Sequence, residues 1–455
     1  MTEYDFDFSG ESHGRDVQLP RMYRFDDTII RRRLLHGIPP RLADLIDIAV
    51  ATYVADRLAR RRVAASRPEA WPRRMVLTIP VRESVFWTAR TPALTHLLDW
   101  LTDDRWQLEF TVRSRAARRA EVEDFLFHTD LMGVPEVALF SGGLDSLAGA
   151  DLLLQRGAEQ LLLVGLRTSS RQAAAQKSIA GALAFHHRRD VASLHVPLQL
   201  AADGEGESRE RTQRSRAFAH LAIGSTVAWL AGSPRLVVCE NGPGAVNLPY
   251  LESQIGAMAT KAVRPETLSL VSAIFCEAVG DDFKIENIGL LSTKAELCRG
   301  MTDSSLALVG ETNSCDSFPL REAAFDSCGF CTSCILRRQA LAVAGLSRRE
   351  NVARYQYDIN AWQVAHHARY GFPLAAMLGQ VANLNQWLNR SDPWSYLAAA
   401  SPSFAHLIAW HREQPDPQFA VQDVVSMLKR YVDEWIDWKA PRFNEFCLPH
   451  VQAAS

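Results

Sequence analysis

Six consecutive residues, Ser141-Gly142-Gly143-Leu144-Asp145-Ser146, combine the groups that handling a polyphosphate requires. Two glycines let the backbone turn sharply and approach a ligand without a Cβ in the way. The apolar run Val137 to Phe140 precedes them and a helical pattern, Leu147 to Gln155, follows, so the hexapeptide reads as a strand–loop–helix. Unpaired N–H groups and the positive end of the helix dipole then point at the loop, where pyrophosphate is expected. Ser141 and Ser146 add hydroxyl donors, and Asp145, which repels phosphate by itself, is expected to orient Mg2+. The Gly-Lys-Ser/Thr ending of a Walker loop is absent and no lysine lies within the loop. Cleavage between the α- and β-phosphates of ATP is therefore the expected chemistry.

A second constellation is metal-like. Cys328-Gly-Phe-Cys331-Thr-Ser-Cys334 puts three thiols on one tight loop, and Cys315 lies thirteen positions upstream as a fourth ligand. Four sulfurs suit tetrahedral zinc in a closed, structural site with no position left for substrate. An iron–sulfur cluster also uses such triplets, but the fourth cysteine of the ferredoxin run follows the triplet instead of preceding it. The chain has eight cysteines, and half of them fall in this stretch, a distribution unlike a disulfide framework.

These residues need a scaffold. From Val137 onward, short apolar runs alternate with helical segments: Val137 to Phe140, Gln160 to Leu166, Ser193 to Leu198, Arg235 to Glu240 and Phe283 to Leu290. That alternation predicts an α/β fold, a doubly wound parallel sheet with crossover helices. Ligands in such sheets bind beyond the carboxyl ends of the strands, so the loops after Phe140, Leu166, Leu198 and Glu240 are expected to frame the site. Residues 1–130 mix a helical pattern, Leu42 to Leu58, with strand-like runs Met75 to Val81 and Trp106 to Val112, and predict an N-terminal α+β domain. The arginine-rich stretches Arg31 to Arg33 and Arg60 to Arg62 are expected on solvated helix faces. Residues 346–455 place Trp362, Trp387, Trp394, Trp410, Trp435 and Trp438 at helical spacing, predicting a helical domain packed through its aromatics. The site domain then spans 131–345.

Composition agrees with a folded chain of several domains: 455 residues, 47% apolar and 22% charged. A net charge of -2 gives no general pull toward nucleic acid or anionic lipid. No apolar run reaches the roughly 18 residues of a membrane helix, and the acidic start is unlike a signal peptide, so a cytoplasmic location is expected.

Taken in order, Ser141 to Ser146, Ser292-Thr-Lys294-Ala-Glu296, Thr312-Asn-Ser-Cys315 and Cys328 to Arg338 resemble the 7-cyano-7-deazaguanine synthase (QueC) family of PP-loop ATP pyrophosphatases, over about Val137 to Leu341. The resemblance implies a PP-loop/HUP-like sheet, ATP with Mg2+ and structural Zn2+ as cofactors, and adenylation of 7-carboxy-7-deazaguanine. It implies that Ser141, Gly142, Gly143, Asp145 and Ser146 hold the phosphates, with Asp145, Ser146 and Lys294 in catalytic roles. It further implies that Cys315, Cys328, Cys331 and Cys334 bind zinc. Lysine is scarce here, six against forty-four arginines, which adds weight to Lys294 near the nucleotide; a solvated helix lysine is the alternative. In Arg211-Thr-Gln-Arg214-Ser-Arg216 one arginine should meet the nucleotide, and the resemblance does not choose between Arg214 and Arg216. The segment Ala201 to Glu210 suits either a loop closing over ATP or a plain connector.

Ordinary members are about half this length and lack both flanking domains, and the loop Glu240 to Tyr250, where the base should bind, departs from their wording. The extended layout is closer to the QueC-like proteins of bacterial anti-phage operons, the QatC type. That likeness implies amide transfer of a deazaguanine to the amino terminus of a companion protein. Nitrile synthesis from ammonia for queuosine is the alternative.

Overall fold

The computed structural model describes residues 1–9, 23–61, 72–114, 118–122, 133–167, 169–200, 209–210, 214–248, 260–317, 325–361, 364, 366–414 and 419–438. Arg62, residues 201–208 and 211–213, Tyr250 and Trp362 lie outside them.

Nine strands form two sheets among these residues. The larger one runs through β2 (Tyr23–Phe25), β5 (Glu136–Leu139), β6 (Gln160–Arg167), β7 (Asp190–Leu200), β8 (Arg235–Val238) and β9 (Lys284–Asn287), in the order β2-β7-β6-β5-β8-β9. Strands β5 to β9 are parallel and β2 is an antiparallel edge, with Tyr23 opposite Leu200. Residues along each strand alternate between two cores. Val137, Leu162, Val164 and Leu166 face the helices Arg216–Leu230 and Pro265–Val279, whereas Ala138, Phe140, Leu161 and Leu163 face the helices Leu144–Gln155 and Ser170–His187. Helices thus cover both faces, and burial on both sides is why these strands read as near-continuous apolar runs.

The N-terminal strands depart from expectation. β1 (Thr2–Asp7), β3 (Arg73–Val81) and β4 (Arg105–Val112) form a sheet in the order β1-β3-β4 and all run parallel, giving an α/β arrangement and not α+β. The cause is connection length: helices occupy both crossovers, and a meander of antiparallel strands needs short hairpins instead. The described residues among 1–130 share one core with the larger sheet. The helix Pro40–Leu58 is buried on nearly every side between β3 and the helix Arg216–Leu230, and one apolar cluster runs from Phe6 through Ile285. Arg61, expected on a solvated face, is 3% exposed. It pairs with Asp104 at 2.6 Å, and Asp104 and Asp56 both pair with buried Arg73 at 2.5 Å. Buried charge needs such mutual pairing to persist.

The C-terminal helices Ala368–Leu388, Pro393–Ala400, Pro402–Glu413 and Val421–Asp437 share a third core, into which Trp387, Trp394, Trp410, Trp435 and Trp438 pack. That core includes Ala245 and Val246, just past β8. No described helix is long and apolar enough to cross a membrane.

Candidate functional site

Strand order locates the site. β5 and β8 are neighbours, yet the chain reaches β6 and β7 on one side of β5 and β9 on the far side of β8. The crevice between their carboxyl ends is the switch point where parallel sheets take ligands. The loop after β5 is Ser141 to Gly143; the residues after β8 are Cys239, Glu240 and Asn241.

The glycine loop after β5 keeps its carbonyl oxygens occupied. Phe140 O accepts from Gln176 Nε2 at 2.9 Å, Ser141 O from Gln172 Nε2 at 3.4 Å, and Gly142 O from Asn313 N at 3.0 Å. Gly143 O takes Leu147 N at 3.0 Å and Ser146 Oγ at 2.9 Å. Gly142 has φ +81, a left-handed backbone that favours glycine, and a Cβ there would press on Gln176 Cγ at 3.0 Å. Gly143 N donates to Ser141 Oγ at 3.2 Å and Leu144 N to Ser314 Oγ at 3.4 Å, so among the described residues the amides of Asp145 and Ser146 are the ones at the start of the helix Leu144–Gln155 that remain for an anion. Gly143, the residue capping that helix, offers no side chain to them.

Asp145 follows at once and is 7% exposed. Its Oδ2 accepts from Lys294 Nζ at 2.6 Å and from Asn241 Nδ2 at 2.9 Å, while Oδ1 is buried with no hydrogen-bond partner among the described residues. Burial opposes its ionisation, but the Lys294 charge and its hydrogen bonds hold the carboxyl below the usual range. Lys294 is itself buried, and the same two carboxyls, Asp145 and Glu240, keep its ammonium charged against that burial. Its helix, Lys294–Arg299, starts with a reciprocal cap between Thr293 and Glu296, and Thr293 Oγ1 donates to Glu434 Oε1 at 2.7 Å from the helix Val421–Asp437. The solvated-lysine alternative therefore fails.

Glu240 and Asn241 had no assigned role. Asn241 Nδ2 also donates to Glu240 Oε1 at 2.7 Å, and Asn241 Oδ1 accepts from Gly244 N at 3.1 Å. Burial and the Asp145 charge push the Glu240 carboxyl well above its usual range, which favours its protonated form beside Asp145. The helix Gly242–Val246 that follows lies under the C-terminal helices: a Cβ on Gly242 would collide with Leu290 O and with Met427 Cε. The only local signal for this pair was its place after a predicted strand.

Arg214 and Arg216 point elsewhere. Arg214 Nη1 lies 3.5 Å from Asp103 Oδ2, and burial pulls its guanidinium down to about 10. Arg216 is half-buried, its guanidinium pulled down by burial in the field of Tyr53 and Arg57 on the helix Pro40–Leu58. Arg214 thus serves the junction with the N-terminal region in this structure.

The four cysteines come together as expected. Sγ atoms of Cys315, Cys328, Cys331 and Cys334 all lie within 4.8 Å of one another. Tetrahedral zinc, with Zn–S near 2.3 Å, needs sulfurs about 3.8 Å apart, so this cluster is compact enough to hold a metal ion. Cys328 N donates to Cys315 Sγ and Cys331 N to Cys328 Sγ, both at 3.3 Å, bonds that favour thiolates. Mutual sulfur contacts split the four thiols, pulling Cys315 and Cys328 below the ordinary value and pushing Cys331 and Cys334 above it.

No family model and no curated protein matches this chain.

Proposed function

We propose that this protein is a QueC-like, ATP-dependent ligase of PP-loop type. It adenylates a 7-carboxy-7-deazaguanine-type acid and transfers it as an amide to an amine, the N-terminus of a companion protein in anti-phage defence. The observation that supports this reading is the glycine loop Ser141 to Gly143 at the crevice between β5 and β8, whose carbonyl oxygens are all occupied within the protein at the start of a twelve-residue helix. Substrate carboxylate attacks the α-phosphorus, the α–β P–O bond breaks, and pyrophosphate leaves into the loop. The amine then attacks the acyl carbon, loses a proton, and AMP departs.

Lys294 and the helix amides supply fixed positive charge where the leaving group gathers negative charge. Asp145 brings an unpaired buried oxygen to the same place, a group that fits Mg2+; that ion would neutralise phosphate charge when bound. The four-cysteine set is proposed to hold structural zinc. An α-amine acceptor is favoured over lysine because its pKa near 7.7–8.0 leaves it partly neutral at pH 7.

The test is product analysis with ATP, Mg2+ and 7-carboxy-7-deazaguanine. AMP and pyrophosphate are expected, and ADP overturns the reading. Co-expression with the companion, followed by intact-mass measurement, tests the acceptor. An unmodified companion with efficient nitrile formation from ammonia makes the chain a 7-cyano-7-deazaguanine synthase instead.

A further inference from the structure

One hydroxyl reaches the phosphate loop from outside its sequence. Ser314, one residue before Cys315, accepts a hydrogen bond from Leu144 N at 3.4 Å, and its Oγ lies 3.8 Å from the position of a Cβ on Gly143. Leu144 carries the first amide of the helix Leu144–Gln155, and among the described residues the Ser314 hydroxyl hydrogen meets no acceptor. A free donor therefore stands beside amides that favour an anion, next to a side chain, Asp145, whose buried Oδ1 is also unpartnered.

The segment that holds Ser314 is fixed at both ends. Asn313 N donates to Gly142 O at 3.0 Å, Asn313 Nδ2 to Asp326 O at 2.8 Å, and Asn313 Oδ1 accepts from Cys315 N at 2.9 Å. Upstream, Thr312 Oγ1 accepts from buried Arg337 Nη1 at 2.6 Å, and Arg337 stands three residues beyond Cys334 on the helix Thr332–Val343. The cysteine cluster and the phosphate loop thus grip the same three residues from opposite sides.

We propose that Ser314 is a ligand of the pyrophosphate group: its hydroxyl donates to the anion, while Leu144 N–H transfers its bond from Ser314 Oγ to that anion. Asn313 is the positioning residue, acting through the peptide it pins to Gly142. This rests on the ATP-using reading above and adds a residue from the cysteine segment to it.

Calorimetric titration of inorganic pyrophosphate into the full chain with Mg2+ tests it, with metal content and melting temperature measured alongside. Ser314→Ala should weaken binding roughly tenfold to a hundredfold, the range of one hydrogen bond to a charged group, with zinc and melting temperature unchanged. Ser314→Thr, which keeps the hydroxyl, should restore binding. Ala binding as tightly as the natural chain, or Thr failing like Ala with its zinc intact, overturns the proposal. If Ala sheds zinc, the Thr variant decides: restored affinity supports a ligand role. A natural chain that takes neither pyrophosphate nor ATP overturns the ATP reading itself, a separate result.

Discussion

Asp145 and Asp151 stand on the same helix, Leu144–Gln155, and both are buried, but their oxygens are treated differently. Asp151 accepts from Thr302 N and Thr302 Oγ1 at 2.8 Å, Ser305 Oγ at 2.5 Å, Gln155 Nε2 at 2.6 Å and His187 Nε2 at 2.7 Å. Asp145 has a lysine and an amide on one oxygen and nothing on the other. A carboxylate with every lone pair filled fixes structure, here tying the helices Ser170–His187 and Asp303–Leu306 to its own. A buried carboxylate with one oxygen left open, beside a second carboxyl and a lysine, gathers the ionisable groups of a candidate site. One turn and a half of helix separates a clamp from a site.

The comparison can be broken most violently at the metal. Zinc binding is folding energy on the order of 10 kcal/mol in small peptides, so chelation or Cys331→Ser should cost more stability than any other change here. The loss should be local first, because Asn313 and Ser314 join the cysteine segment directly to Gly142 and Leu144, whereas its link toward Thr302 and Ser305 runs through Arg337 and Val309. Hydrogen exchange should show protection falling at 142–146 before it falls at Thr302 and Ser305. Equal loss at both ends, or iron in the purified protein, would remove the asymmetry.

Asp151→Ala comes next. It orphans several buried donors at once and should cost about 3–5 kcal/mol by denaturant titration, with activity per folded molecule unchanged. Asp145→Asn should do the reverse. Lys294 loses its main counter-ion, but Glu240 can give up its proton and take over the charge, so the midpoint should move little. Pyrophosphate release should fall at least a hundredfold, about 2.7 kcal/mol at the transition state. An Asp145→Asn protein whose activity loss only mirrors its unfolded fraction would make the two aspartates alike.

The phosphate-loop half of this contrast was legible because it is local: strand, two glycines, serines and helix lie within twenty residues. The buried parallel strands were legible as apolar runs for the same reason. Asn241 beneath Asp145 was not, since it depends on β8 lying next to β5, which no window of sequence contains. β1, with Tyr4 and Phe6 alternating with acids, and three-residue β2 were missed because edge strands carry short, mixed patterns. The direction of the N-terminal strands was misjudged although the crossover lengths were visible. Arg61 and Arg214 were misplaced because their partners, Asp104 and Asp103, come from the distant turn before β4. Thr302, Ser305 and His187 converge on Asp151 from two helices far apart in sequence, and no local pattern marks them.

The smallest expected effect is a change of slope with pH, and it isolates Asp151. Burial opposes its ionisation, but the hydroxyl of Ser305 and the N–H and hydroxyl of Thr302 hold its carboxyl below the ordinary carboxylate value. A carboxyl with a folded-state pKa below its unfolded value of about 3.9 adds stability that is fully present at neutral pH. That contribution is lost as pH falls below about 5 and on through the folded-state value. Asp151→Asn has no such carboxyl to titrate. The stability gap between the natural chain and Asp151→Asn should therefore be widest near pH 7 and narrow steadily below pH 5, other acids cancelling between the two proteins. Denaturant midpoints taken across that range measure it. A gap that stays constant would mean that Asp151 works by shape alone, and its difference from Asp145 would then lie in packing and not in charge.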